Sequence, residues 1–275
     1  MMRRIINKVF VLNMDINTQT HHFNIGKHRI FAQTWQKLGG SNACPIILLH
    51  DSLGSVALWR DFPKQLTVQT GRQVIAYDRL GFGLSDVCEQ NLSNDFVFTE
   101  AATTFKALLD YFQLSQFLVL GHSVGGGMAA AIAAQYPKQC VGLITIAAQY
   151  EVEELTLSGI RTAKEMFQQA GQLERLEKYH PNKAQWVLNA WTETWLSPAF
   201  ANWNLSQVLT QVMCPALIMH GELDEYGTTA QAQQLFAGVD ANAELHILEG
   251  LYHMPHKEQP DLIIALIDEF IQALP

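Results

Sequence analysis

The chain is poor in charge. Lys, Arg, Asp and Glu together make up 16% of its 275 residues, below the usual quarter. Basic residues are the scarcer kind, 18 against 26 acidic ones, for a formal net charge of −8. That balance argues against a nucleic-acid partner, which needs a basic face, and a hydrophobic content of 48% excludes disorder. Long apolar runs are also missing. Those present, such as Pro45-Ile46-Ile47-Leu48-Leu49, fall well short of the ~18 residues of a membrane span, so no membrane partner is expected. The start, Met1-Met2-Arg3-Arg4-Ile5-Ile6, faintly resembles a signal peptide, but Asn7 and Lys8 break the apolar stretch and no small-residue cleavage site follows. The expectation is a cytoplasmic protein.

Cysteine is scarce as well. Cys44, Cys88, Cys140 and Cys214 are scattered, with no Cys-x-x-Cys pair and no Cys/His cluster at zinc spacing, which removes a disulfide framework and a metal site from consideration. None sits in a turn with a base nearby, so a cysteine nucleophile is disfavoured. Repeats, linkers and low-complexity stretches are absent. A chain of this length can bury a full core as one large domain or two small ones.

What is present is an alternation. Short apolar runs at Thr20–Ile25, His28–Trp35, Ile46–Leu49, Gln73–Tyr77, Phe117–Leu120, Val141–Ile146, Ala216–His220 and Ala243–Leu248 read as strands. The central ones are continuous Ile/Leu/Val blocks, as parallel strands covered on both faces require. The first two, joined around Gly26, read as an antiparallel edge hairpin. Helical patterns lie between them, at Phe96–Phe112 and Met128–Gln135, and a last one runs from Asp261 to Leu274 behind Pro260. The expected fold is α/β, a mostly parallel eight-stranded sheet flanked by helices. Residues 1–16 receive no assignment.

One stretch breaks the alternation. Residues 150–211 are helical and polar-aromatic without a convincing strand, and they hold Trp186, Trp191, Trp195 and Trp203 of the six tryptophans. An insertion of that length in an α/β chain is expected to be a helical cap over the carboxyl ends of the strands, where such sheets bind ligands. Residues 1–149 and 212–275 would form the core. An ordinary helical layer with tryptophans in its own core is the competing reading.

The segment Phe117–Gly127 carries the chemistry: an apolar strand, then Gly121-His122-Ser123-Val124-Gly125, then an alanine-rich helix. A serine on a sharp strand-to-helix turn needs strained backbone angles, and glycine two residues to either side removes Cβ atoms that would collide. The turn lifts the Ser123 hydroxyl above the sheet and presents the Val124 N–H at a helix start. Gly125–Ala130 also fits a dinucleotide fingerprint, with Glu151 or Glu153 as its acidic residue, but that fingerprint belongs in the first βα unit of its fold and here sits later. A serine hydroxyl needs an imidazole to take its proton and a carboxylate to orient the imidazole. Asp224, after the strand Ala216–His220, and His253, after Ala243–Leu248, stand at strand ends in the order an elbow serine requires.

Together these segments resemble the α/β-hydrolase fold, of the small, lidded, serine-esterase kind. The resemblance rests on His50-Asp-Ser-Leu-Gly54, Tyr77-Asp-Arg-Leu-Gly-Phe-Gly-Leu-Ser85, Gly121–Gly126, His220-Gly-Glu-Leu-Asp224, and Gly250-Leu-Tyr-His253 with Glu258-Gln-Pro260. It covers about residues 20–274, with the insertion unmatched. It implies Ser123 as nucleophile, His253 as general base and then acid, and Asp224 as orienting carboxylate. It also implies an oxyanion hole from the backbone N–H groups of Ser52 and Val124. The chain departs from the family at Asp51, where glycine usually follows the histidine. A turn residue facing away from the site is one reading; a carboxylate facing the hole would oppose the developing oxyanion, and Asp51→Gly would then raise kcat.

Other residues are weighed beside these. Asp78 and Arg79 are expected to brace loops. His256 is the second candidate for the base, and His122 is expected to pack or hydrogen-bond beside the elbow. Trp191 and Trp195, four residues apart on one helix face, and Tyr226 are the candidate substrate-binding residues; a helix face turned to the core and a surface turn at Tyr226 are the competing readings.

The reading is a cofactor-free, metal-free serine hydrolase cleaving a small, largely apolar carboxylic ester, with a small-molecule substrate as its partner and a homodimer left open. Serine as nucleophile sets it apart from the haloalkane dehalogenases and epoxide hydrolases of the fold. The nearest alternative is a carbon–carbon bond hydrolase of meta-ring-fission products, relatives that commonly carry tryptophan where this chain has Met254. The other is a non-catalytic ligand-binding member of the fold.

Overall fold

In the computed structural model, which describes residues 16–39, 43–239 and 242–275, the apolar runs become strands β1 (Ile16–Ile25), β2 (His28–Lys37), β3 (Ile46–Leu49), β4 (Val74–Tyr77), β5 (Phe117–His122), β6 (Cys140–Ile146), β7 (Ala216–Gly221) and β8 (Ala243–Leu248). They form one sheet in the order β1-β2-β4-β3-β5-β6-β7-β8. β1 and β2 are an antiparallel hairpin, β2 meets β4 antiparallel, and every other pairing is parallel. The signal-peptide-like start, Met1 to Lys8, lies outside the described residues.

The helices are α1 (Phe62–Thr70), α2 (Phe96–Thr99), α3 (Thr104–Phe112), α4 (Val124–Gln135), α5 (Glu154–Met166), α6 (Gln172–Glu177), α7 (Ala184–Trp195), α8 (Ser206–Leu209), α9 (Thr229–Gly238), α10 (Pro255–Glu258) and α11 (Pro260–Ala273). The continuous apolar strands have the cause that their pattern predicts. Side chains alternate across a strand, so Ile47, Leu49, Phe117 and Val119 enter the core on one face of the sheet. Ile46, Leu48, Leu118 and Leu120 enter the core on the other.

Two helix readings change. The single helix expected over Phe96–Phe112 is broken: α2 gives way to a 3-10 turn at Glu100–Ala102, and Thr103 has φ −112° and ψ −96° before α3 begins. At the break the Glu100 carboxylate turns inward and accepts the Tyr77 hydroxyl at 2.7 Å, a tertiary contact that the helical period does not encode. The helix expected from Met128 starts earlier, at Val124, because the three glycines that follow belong to it. α5 to α8 all lie between β6 and β7.

The chain leaves β3 for β4 on one side, then returns past β3 to β5 and proceeds to the other edge. The β3 and β5 ends are therefore a topological switch point, where a crevice opens at the carboxyl ends of the strands. His50-Asp51-Ser52 follows β3 and Ser123 follows β5. Among the described residues no helix is long and apolar enough to cross a membrane.

Candidate active site

Ser123 occupies the turn between β5 and α4 with φ +56° and ψ −127°, a left-handed conformation that costs a non-glycine residue energy and persists only where its surroundings impose it. They do so here. The Ser123 N–H donates to the Ile146 carbonyl at 2.9 Å, and the Gly126 N–H donates to the Ser123 carbonyl at 2.8 Å. A Cβ on Gly121 would stand 2.0 Å from the Gly125 carbonyl oxygen, and one on Gly125 would stand 2.3 Å from that of Leu49. The flanking glycines are therefore required by close backbone approach.

Asp224 and His253 meet at the ends of β7 and β8. The His253 Nδ1–H donates to both carboxylate oxygens of Asp224, each at 2.9 Å. That fixes the tautomer and leaves Nε2 with its lone pair free. Burial alone would push the Asp224 carboxyl up, but the hydrogen bond and charge of His253 outweigh it and hold it below the usual carboxylate range. His220 stands 3.4 Å from the same carboxylate and donates from Nε2 to the Gly227 carbonyl. The loop carrying His253 is tied down by Glu258, whose carboxylate accepts the N–H groups of Tyr252 and Met254 at 2.8 and 3.0 Å.

Ser123 and His253 line one cavity of about 100 Å³. No hydrogen bond joins them among the described residues; the Ser123 hydroxyl donates instead to Oε1 of Gln149 at 3.4 Å. Trp191, Trp195 and Tyr226 line the same cavity, and so does Ser52. Tyr226 packs between Trp191 and the His253 ring, with centroids 5.9 and 4.9 Å away. Val124 is not among the lining residues. It is buried at the first position of α4, where helix N–H groups have no intrahelical acceptor. Sequence reasoning missed Gln149, Thr156, Ile160 and Leu53 on the cavity wall. Nothing in their local patterns marks them, since β6, α5 and the β3 loop converge only in the fold.

His256, the other candidate base, is buried elsewhere. Its ring packs against Trp59, Phe62 and His122 and does not line the cavity. Asp78 braces loops as expected: its two carboxylate oxygens accept the N–H groups of Val56 and Leu84 at 2.6 and 2.7 Å. Burial pushes its carboxyl up to about 6.

Asp51 is a turn residue, and both of its carboxylate oxygens have partners within the fold. Its Oδ1 accepts the Leu53 N–H at 2.9 Å, a turn of its own loop, while the residue also lines the cavity. Its Oδ2 lies 3.1 Å from Nδ1 of His122, so the carboxylate is directed at the elbow histidine. The four cysteines are free, and the fold brings Cys140 and Cys214, far apart in sequence, to 3.7 Å between sulfurs.

A mostly parallel eight-stranded sheet with a serine elbow at its switch point is the architecture of the α/β-hydrolase fold. The family model for the alpha/beta hydrolase fold matches residues 45–173. A 1-acylglycerol-3-phosphate O-acyltransferase of Sus scrofa is 35% identical over 111 residues, 38% of this chain. That match spans only 30% of the relative's own length. Serine hydrolase BPHL of Mus musculus is 29% identical over 251 residues, covering 86% of this chain and 82% of that one. Among solved structures, 2-hydroxy-6-oxo-6-phenylhexa-2,4-dienoate hydrolase from Rhodococcus sp. strain RHA1 has a TM-score of 0.75 at 16% identity, over 94% of this chain and 100% of that one. That likeness is one of fold.

Proposed function

We propose that this hydrolase cleaves a small, largely apolar carboxylic ester through an acyl-enzyme intermediate, with Ser123 as nucleophile, His253 as base and acid, and Asp224 as orienting carboxylate. One observation carries the reading. The His253 ring is held by both Asp224 oxygens with its Nε2 left over, and it shares a cavity with a serine on a strained elbow. Ser123 Oγ swings from Gln149 toward His253 as substrate enters; active-site hydrogen bonds commonly tighten only in the complex. Oγ then bonds to the ester carbonyl carbon while His253 Nε2 takes its proton. The backbone N–H groups of Ser52 and Val124 hold the oxyanion, a contribution typically worth about 10²–10³ in turnover per donor. His253 returns the proton to the departing alkoxide. Water, deprotonated by the same nitrogen, then attacks the acyl-enzyme, and collapse gives the acid and restores the Ser123 hydroxyl.

Residues 150–211 are the cap in this reading, supported by Thr156, Ile160, Trp191 and Trp195 on the cavity wall. The volume of about 100 Å³ is well below the roughly 300–1,000 Å³ of drug-sized pockets. It favours short acyl groups over an aryl dienoate and so ranks ester cleavage above carbon–carbon cleavage. The test is a fluorophosphonate probe followed by a panel of alkyl and aryl esters of graded acyl length, with a ring-fission dienoate included. Labelling of the wild type and none of Ser123→Ala is expected, with turnover greatest for short acyl esters. Equal labelling of both proteins would overturn the reading. A preference for the dienoate would move it to carbon–carbon cleavage.

A further inference from the structure

Asp51 directly precedes Ser52, a proposed oxyanion donor, and lines the same cavity; a net negative charge there would raise the barrier, and the structure gives its carboxylate a specific partner. His122 is 1% exposed, and both of its ring nitrogens meet oxygen. Nδ1 lies 3.1 Å from Asp51 Oδ2, and Nε2 lies 2.9 Å from the His253 carbonyl. A carbonyl oxygen accepts only, so Nε2 carries a proton. A neutral imidazole would then turn the Nδ1 lone pair toward a carboxylate oxygen, two acceptors face to face with no water between them. The contact requires a proton of its own.

We propose that Asp51 and His122 hold one proton between them at neutral pH, a net-neutral pair that cancels the Asp51 charge next to the proposed oxyanion hole and ties the β3 loop to the His253 loop. The proposal rests on the hydrolase reading for its consequence, though not for its geometry. His122 is thus a positioning residue. It never exchanges its proton with substrate, but its ring is the strut between the segment that supplies the Ser52 N–H and the segment that carries the base. Burial pulls the His122 pKa down and the Asp51 carboxylate offsets it only in part, so it is the contact geometry, two acceptors against two ring nitrogens, that calls for the second proton. On the other side, the hydrogen bond and charge of His122 overcome burial and hold the Asp51 carboxyl far below its usual range. Other groups act on the pair from every side. His50 and Lys257 bear on Asp51, as do Arg79, His180 and Tyr226. His253 and His256 bear on His122. Because the pair titrates as a unit, the loss of its proton at alkaline pH leaves one uncompensated negative charge at the hole.

Nitrogen-15 spectra of the His122 ring in the full-length protein read the proton directly, beside carbon-13 spectra of the Asp51 carboxyl. At neutral pH both ring nitrogens should be protonated, and Asp51→Asn should convert His122 to the neutral form with its proton on Nε2. The asparagine amide can donate to Nδ1 and still accept from Leu53. A bare Nδ1 opposite an ionised Asp51 in the wild type would overturn the proposal; a proton on the Asp51 carboxyl would leave the pair neutral and support it. In ester turnover, the wild type should lose activity by about tenfold or more as the pair deprotonates on the alkaline side. The ratio of alkaline to neutral rates should flatten in Asp51→Asn, and an unchanged ratio counts against the charge argument. Fluorophosphonate labelling separates the two failures. No labelling of wild-type Ser123 removes the hydrolase reading and leaves the His122 spectra as they are. Labelling with a bare Nδ1 removes only the pair.

Discussion

The Ser123 hydroxyl donates to Oε1 of Gln149 at 3.4 Å, away from the imidazole proposed to activate it. The two residues follow β5 and β6, adjacent parallel strands, so the contact belongs to the resting site and must break before Oγ can reach a carbonyl carbon. A neutral hydrogen bond of this kind contributes about 1 kcal/mol. Gln149→Leu should therefore label with fluorophosphonate about fivefold faster than wild type under pseudo-first-order conditions. A rate at or below that of the wild type would mean that Gln149 does not restrain the Ser123 hydroxyl.

Asp224→Asn keeps the size of the side chain but turns an amide toward His253. An amide N–H there would favour the tautomer with its proton on Nε2, the wrong nitrogen for accepting from Ser123. Turnover should fall by roughly 10⁴-fold with little change in KM. Steady-state kinetics over a full pH range checks this, and a fall of under tenfold would remove Asp224 from its proposed role.

Trp191 forms part of the cavity wall and leans on Tyr226. Replacing it with alanine removes a wall from a small cavity, so specificity should move toward longer acyl chains. The ratio of kcat/KM for a six-carbon over a two-carbon ester should rise by about tenfold or more, on the scale of one or two methylenes in an apolar pocket. An unchanged ratio would place acyl recognition elsewhere.

His180 links the segment between β6 and β7 to the core. It accepts the Gly83 N–H at Nδ1 (2.8 Å) and donates from Nε2 to the Leu53 carbonyl (2.9 Å). Burial pushes its pKa from 6.5 down to about 4. The native state thus binds fewer protons than the unfolded chain between these values, so stability rises with pH across the window. The contribution is complete above about pH 6.5 and is lost as pH falls toward about 4, on the order of 3 kcal/mol in all. Thermal unfolding of His180→Gln should show a shallower acid loss than wild type, and parallel curves would assign the acid sensitivity to other groups.

Much of the architecture was legible in the sequence because local patterns encode it. Continuous apolar blocks signal central strands covered on both faces, and all eight runs read as strands pair in one sheet. Gly121 and Gly125 predicted a backbone approach too close for side chains, and their missing Cβ atoms would stand 2.0 and 2.3 Å from carbonyl oxygens. The helix expected over Phe96–Phe112 misled because its period is continuous while Glu100 leaves it to meet Tyr77, a contact across 23 residues.

The sequence by itself determined the strand and helix order and the position of Ser123, Asp224 and His253 at the ends of three strands. These are properties of periodicity and of residue type at a turn. Only the tertiary structure decided that His253 and not His256 shares the Ser123 cavity, that Gln149 accepts the Ser123 hydroxyl, and that the Asp51 carboxylate is met by His122. The last pair is separated by 71 residues, and the His122 link to His253 spans 131. A charge that looks unfavourable in its local motif acquires its counterpart only when distant strands are brought side by side, because hydrogen bonds depend on proximity in space and no local period records it.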